Sequence, residues 1–206
     1  DLDGDGEVEI VVAGGNNLWT LNADGSLLWS AAVQDESGAT GASIFDFEGD
    51  GQLEVVYIDE IEMVAYDGLT GALKYYSAEH SSATMFDYPV IADVDADGHA
   101  EIVVCHDGYT SAMSVYGDAD DSWAPTRQVW NQHAYSVTNV LDDGRIPQTA
   151  TPNFRSNNTW HAAPHRDPTT DSQLDLEGEI LDVCEDECDQ GVVYVAARVL
   201  NRGFDA

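Results

Sequence analysis

Three nine-residue stretches carry most of the chemistry in this chain: DLDGDGEVE from Asp1, DFEGDGQLE from Asp46 and DVDADGHAE from Asp93. Each puts acidic side chains at positions 1, 3, 5 and 9 and a glycine at position 6, with a short apolar run directly behind. Carboxylates packed this closely repel one another unless a cation joins them, and Ca²⁺ takes about six to eight oxygens from flexible loops of this kind. In the first copy the expected ligands are the side chains of Asp1, Asp3, Asp5 and Glu9, with the backbone carbonyl of Glu7. The second copy offers Asp46, Glu48, Asp50 and Glu54 with the carbonyl of Gln52. The third offers Asp93, Asp95, Asp97 and Glu101 with the carbonyl of His99. Gly6, Gly51 and Gly98 allow the sharp turn that brings both ends of a loop around one ion. The expected cofactor is therefore Ca²⁺, at about three sites. Glu48, longer than the usual Asp, makes the second copy the weakest of the three.

An EF-hand opens similarly but needs a bidentate Glu at position 12 and a helix on each side. Position 12 is Val12, Tyr57 and Val104, and the flanking runs EIVVA, LEVVYI and EIVVC are short and β-branched. Such runs favour strands. The EF-hand and dockerin-like readings fail.

The loops must therefore be positioned by sheets. In the second unit residues 42–45 lead into the loop, 53–58 leave it, and 63–66 and 72–76 follow around the turn Asp67-Gly68-Leu69-Thr70-Gly71. The first unit repeats the pattern with 9–13, 18–21 and 27–29, separated by Gly- and Asn-rich turns suited to tight hairpins. Four short strands recurring every ~46 residues predict an all-β fold, a partial β-propeller of four-stranded blades over residues 1–122. Trp29, Tyr75 and Tyr76 are expected to pack between blades. Three units cannot close a ring, so the chain is expected to be a segment of a longer protein or to be completed by other copies.

These loops resemble the FG-GAP/VCBS repeats of integrin α-subunits and secreted bacterial proteins, whose D-x-D-x-D-G-x-x-[DE] loops bind calcium. The likeness covers residues 1–122. It lacks the flanking Phe-Gly and Gly-Ala-Pro signatures of the integrin variety and is nearer to the bacterial one. LWTLNADGSLLWS and MVAYDGLTGALKYYS also resemble outer strands of quinoprotein-type propellers, without the ring of cofactor ligands such enzymes need.

Seven basic residues against 39 acidic ones give a net charge of −32, of which three calcium ions would offset only six charges. This excludes nucleic acid as a partner, since its phosphates would be repelled. No apolar run reaches the length of a membrane span. Extracellular calcium modules bind at about 10⁻⁴–10⁻³ M and would be empty in the cytosol, so an exported protein, extracellular or at the cell surface, is expected. Cys105, on EIVVC, is read as a small buried apolar residue. Cys184 and Cys188 either form a small disulfide or remain thiols.

After Tyr116 the repeat stops. Only Lys74 is basic before that point, whereas Arg127, Arg145, Arg155 and Arg166 follow it. Residues 123–173 read as a connector. Val129, Trp130, His133 and Val137 behind Pro125 predict a short helix, and Trp130, Tyr135, Phe154 and Trp160 are expected to pack across the last blade. His133, His161 and His165 could make a zinc or catalytic cluster, but the Glu of a zinc-hydrolase motif is missing. The packing reading is preferred. Asn157 begins a glycosylation triplet.

Residues 174–206 contain two strand-like runs around an acidic turn and resemble, chiefly at VAARVLNRG, the opening of a CARDB-type immunoglobulin-like domain. Two strands alone are marginal and their edges would seek a partner.

The leading functional expectation is a calcium-stabilised structural or adhesive module of an exported surface protein, partnered by further copies of itself or by other surface proteins and glycans, and able to build a filament or layer. The alternatives are a propeller-based polysaccharide lyase or hydrolase, for which no acid pair can be singled out, and a carbohydrate-binding module using Trp19, Trp29 or Trp123 as stacking platforms.

Overall fold

The computed structural model describes residues 1–82, 85–107, 112–155 and 159–165, together with the backbone of two strands, Leu176–Cys184 and Tyr194–Asn201. The chain divides into two units, Asp1–Arg166 and Asp167–Ala206. The fold is all-β, and the one helical turn among the described residues is a 3₁₀ turn at Asn153–Arg155. No helix among them is long and apolar enough to cross a membrane.

The larger unit holds three antiparallel sheets, each built from strands adjacent in sequence. The first joins β1 (Glu9–Gly14), β2 (Asn17–Asn22) and β3 (Leu27–Ala32). The second joins β4 (Ser43–Phe45), β5 (Glu54–Ile58), β6 (Met63–Asp67) and β7 (Leu73–Ser77). The third joins β8 (Val90–Ala92), β9 (Glu101–Cys105) and β10 (Met113–Tyr116). The four strands expected per unit are thus all present in the second, while the first and third show three among the described residues.

Period-two alternation explains the continuous apolar run of the second sheet. Val55, Tyr57, Val64 and Tyr66 pack with Leu2, Leu18, Trp29 and Val33 of the first repeat. Val56, Ile58, Met63 and Ala65 face the other way, onto Ile91, Ala100, Ile102 and Val104 of the third. The middle sheet is therefore buried on both faces, and EVVYI reads as an unbroken core strand. The outer sheets bury one face each, so Ile10, Val12 and Met113 are exposed. Trp29 lies between the first two sheets as expected. Its indole N–H donates to the Gly68 carbonyl at 2.7 Å, and its ring lies where a side chain on Gly71 (φ 69°) would project. Tyr75 is half-buried against the second interface, whereas Tyr76 is exposed.

Cys105 is exposed, not buried. Ile102 and Val104 take the inward positions of β9, and alternation turns the next side chain outward.

Residues 125–137 form bridges and turns in place of the expected helix. Their polar groups are committed elsewhere: the Arg127 carbonyl accepts the Asp93 N–H at 3.0 Å, and its guanidinium bonds Tyr135, the Val140 carbonyl and Asp142. Backbone groups spent on a neighbouring loop cannot also close a helix. Of the aromatic residues expected to pack across the last blade, Trp130 lies against the core between the second and third sheets and stacks on the buried Tyr135 at 4.1 Å, but Phe154 and Trp160 are exposed. The connector also extends the second sheet. Ile44 N–H donates to the His161 carbonyl and Ala163 N–H to the Ile44 carbonyl, in a parallel bridge along the free edge of β4.

In the smaller unit β11 (Leu176–Cys184) and β12 (Tyr194–Asn201) pair antiparallel, with a register shift between Ile180 and Asp182. Asn157 and the Cys184 and Cys188 side chains lie outside the described residues.

Candidate metal centres

The second acidic loop links β4 to β5, the third links β8 to β9, and the first leads into β1. All three turn at the position-6 glycine, with φ of 89° at Gly6, 88° at Gly51 and 93° at Gly98. Position 4 is also left-handed, at Gly4, Gly49 and Ala96. The N–H of position 7 donates to the carboxylate of position 5 in every copy: Glu7 to Asp5 at 2.8 Å, Gln52 to Asp50 at 2.9 Å and His99 to Asp97 at 2.8 Å. Short acidic side chains thereby hold the turn themselves.

The ninth-position glutamate has a role that its spacing alone does not reveal. One of its oxygens accepts the backbone N–H of position 2, Leu2 to Glu9, Phe47 to Glu54 at 2.9 Å and Val94 to Glu101 at 2.8 Å. The clasp joins the two ends of each loop.

Within 4.8 Å of one another lie carboxylate oxygens of Asp1, Asp3 and Asp5 in the first loop, of Asp46, Glu48 and Glu54 in the second, and of Asp93, Asp95 and Glu101 in the third. Glu9, Asp50 and Asp97 stand outside these groups. In the third loop Asp93 Oδ1 is buried and has no hydrogen-bond partner. Burial pushes the Glu101 carboxyl up to about 7, with Asp95, Asp97 and Asp93 adding repulsion, and burial also raises Asp93. A buried unpartnered carboxylate oxygen beside two further acids is a donor set that fits a hard cation. The first loop offers the same acid types in a more open setting. In the second loop Lys74 Nζ lies 2.7 Å from Glu54 and 2.8 Å from Glu48. Burial pushes Glu54 up to about 7 even against the pull of Lys74, whereas at Glu48 the hydrogen bonds from Lys74 and Tyr75 outweigh burial and lower it.

Residues 1–57 match the family described as the FG-GAP-like repeat. The fold is similar to the crystal structure of the V. cholerae biofilm matrix protein Bap1, with a TM-score of 0.66 and 29% identity. The likeness covers 77% of this chain but 28% of that one. A comparison with curated proteins finds no match.

The connector reaches the second and third acidic loops. Ala124 N–H donates to the Phe47 carbonyl at 2.7 Å, and His99 Nδ1 lies 2.7 Å from the Trp123 carbonyl. His165 Nε2 sits 2.6 Å from the Asp46 carbonyl, 119 residues away in sequence. No local signal could have revealed that contact. His133 and His161 approach each other among aromatic rings, with Tyr88 edge-on to both. With His165 they make no three-ligand group among the described residues.

Proposed function

We propose that this chain is a calcium-stabilised structural or adhesive module of an extracellular or cell-surface protein, its three sheets belonging to a propeller-type array. The observation that carries the reading is the likeness, over 77% of the chain, to a biofilm matrix protein. The buried Asp93 oxygen and its acidic neighbours support calcium. Two interfaces between the sheets are already closed by apolar side chains. Ile10, Val12 and Trp19 on the first sheet and Met113 and Val115 on the third present matching apolar surface outward, which suits further sheets or a partner surface. The carboxyl-terminal strand pair would belong to a CARDB-type immunoglobulin-like domain, and assembly into a filament or layer would use these exposed faces.

Calcium would supply charge neutralisation and cross-linking of the loop ends. At millimolar calcium and a dissociation constant of ~0.1 mM, each occupied loop would stabilise the fold by roughly 1.4 kcal/mol. Two experiments test the reading. Melting in millimolar calcium against chelator should show a rise of several degrees, and identical curves reject the ion. Labelled chain should be retained by a polysaccharide-rich biofilm matrix, and washing out like an inert acidic protein rejects adhesion.

A carbohydrate-binding reading is favoured by a cavity of about 430 Å³ beside the first loop, lined by Leu2, Ile10, Ile44 and the exposed ring of Trp160. Trp29 and Trp123 are buried and cannot act as platforms. Glycan binding that survives Trp160→Ala and Trp19→Ala would remove that reading.

A further inference from the structure

The second loop carries its own cation. We propose that the Lys74 ammonium closes the DFEGDGQLE loop in place of a metal ion, so that calcium enters only the first and third loops. The inference rests on the calcium reading of those two loops and concerns the site that the shared motif would otherwise count as a third.

Lys74 is the sole lysine of the sequence, and the fold aims it at this one site. In β7 it is the extra residue of a bulge: Ala65 pairs with Tyr75 and Tyr66 with Leu73, so Lys74 is left between them. The first sheet has the same irregularity, where Thr20 pairs with Trp29 and Leu21 with Leu27. The residue in the equivalent position there is Leu28, with no charge to offer. A bulge re-aims a side chain relative to its neighbours on the strand, and here it sends the only ammonium of the repeats onto Glu48 and Glu54.

Every carboxylate oxygen of Asp46, Glu48 and Glu54 meets a protein donor. Asp46 accepts the N–H groups of Asp50 at 3.1 Å and Gly51 at 2.7 Å. Glu54, wholly buried, accepts Lys74 at 2.7 Å and the Phe47 N–H at 2.9 Å. Glu48 accepts Lys74 at 2.8 Å and the Tyr75 hydroxyl at 2.7 Å. The third loop differs at the decisive atom, Asp93 Oδ1, which has no partner.

Glu48 and Lys74 belong together. In the other two loops the position-5 N–H donates to the position-3 carboxylate, Asp5 to Asp3 at 3.1 Å and Asp97 to Asp95 at 3.2 Å. In the second loop that N–H turns to position 1 instead, and position 3 is the longer Glu48, which reaches to β7. A dication at the same carboxylates would have to sit against the ammonium, where like charges repel at short range. Binding would need Lys74 expelled and two acids repositioned.

The test is a calcium titration of the full chain with ¹⁵N-labelled glycine. The Gly6 and Gly98 amides should shift and saturate while Gly51 stays still, and calorimetry should count two ions per chain. Lys74→Met should make Gly51 calcium-responsive, raise the count to three, and melt below wild type in chelator with recovery in calcium. A saturable Gly51 shift in the unmodified chain, or a count of three, overturns the proposal without needing any variant to fold. Silence at all three glycines would instead sink the calcium reading of the first and third loops. The Lys74 closure would then be decided by the chelator melt, supported by a loss in Lys74→Met and refuted by its absence.

Discussion

The indole N–H of Trp29 donates to the carbonyl of Gly68 across the first sheet interface, at 2.7 Å and out of contact with water. A buried carbonyl deprived of its donor costs roughly 1–3 kcal/mol. Trp29→Phe should therefore destabilise by about that amount, and Trp29→Ala by about 3–5 kcal/mol because it also opens a cavity. Trp19, the next aromatic along the same hairpin, is 37% exposed, so Trp19→Ala should cost less than about 1 kcal/mol. Paired denaturant melts check the contrast, and equal losses at the two sites would refute the interface role.

Glu101 offers a way to separate clasp from ligand. Glutamine can still accept the Val94 N–H through its carbonyl oxygen, whereas alanine leaves that group unpaired. In chelator, Glu101→Gln should melt at or above wild type, because it removes a buried carboxyl that burial and three neighbouring acids hold up at about 7. Glu101→Ala should lose about 1–3 kcal/mol in the same buffer. In calcium both variants should lose most of the ion-dependent gain. A Gln variant that keeps the full gain would show that Glu101 only clasps.

The period of the acidic loops, the strands behind them, the position-6 turns and the burial of Trp29 could all be read from the sequence, because each is set by neighbours a few residues away or by strand alternation. What could not be read depends on register or on distant partners. Lys74 finds Glu54 only because a bulge displaces it. His165 reaches Asp46 across most of the unit. The helical spacing around Trp130 was misleading because tertiary hydrogen bonds at Arg127 claimed the segment's polar groups. Cys105 lies one residue past the last inward position of its strand, and a run of four apolar letters conceals which of them face the core.

Ala96 holds the fourth position of the third loop at φ 65°, where the other two copies have Gly4 and Gly49. A left-handed alanine costs roughly 1–2 kcal/mol, while a glycine gives back about 0.4–1 kcal/mol through the freedom of the unfolded chain. Ala96→Gly should therefore stabilise by up to ~1 kcal/mol, in chelator and calcium alike. A lower melting temperature in both buffers would show that the methyl group is needed for packing.

His80 and His161 give the unit an acid-sensitive contribution of their own. Burial lowers both imidazoles, with His106 close to His80 and His133 close to His161. His80 Nδ1 lies 3.1 Å from His106 Nδ1, so a proton on both rings would bring like charges together. A histidine whose folded pKa lies below its unfolded value is held neutral by the fold. Its contribution is complete above about pH 6.5 and is lost as pH falls through that value toward the lower folded pKa. Imidazole carbon-13 shifts should show both residues titrating below 6.5. Replacing His161 with Gln should flatten part of the fall in melting temperature between pH 6.5 and 5. Titration of both rings at or above 6.5, or an unchanged slope in the variant, would remove them from the account of acid sensitivity.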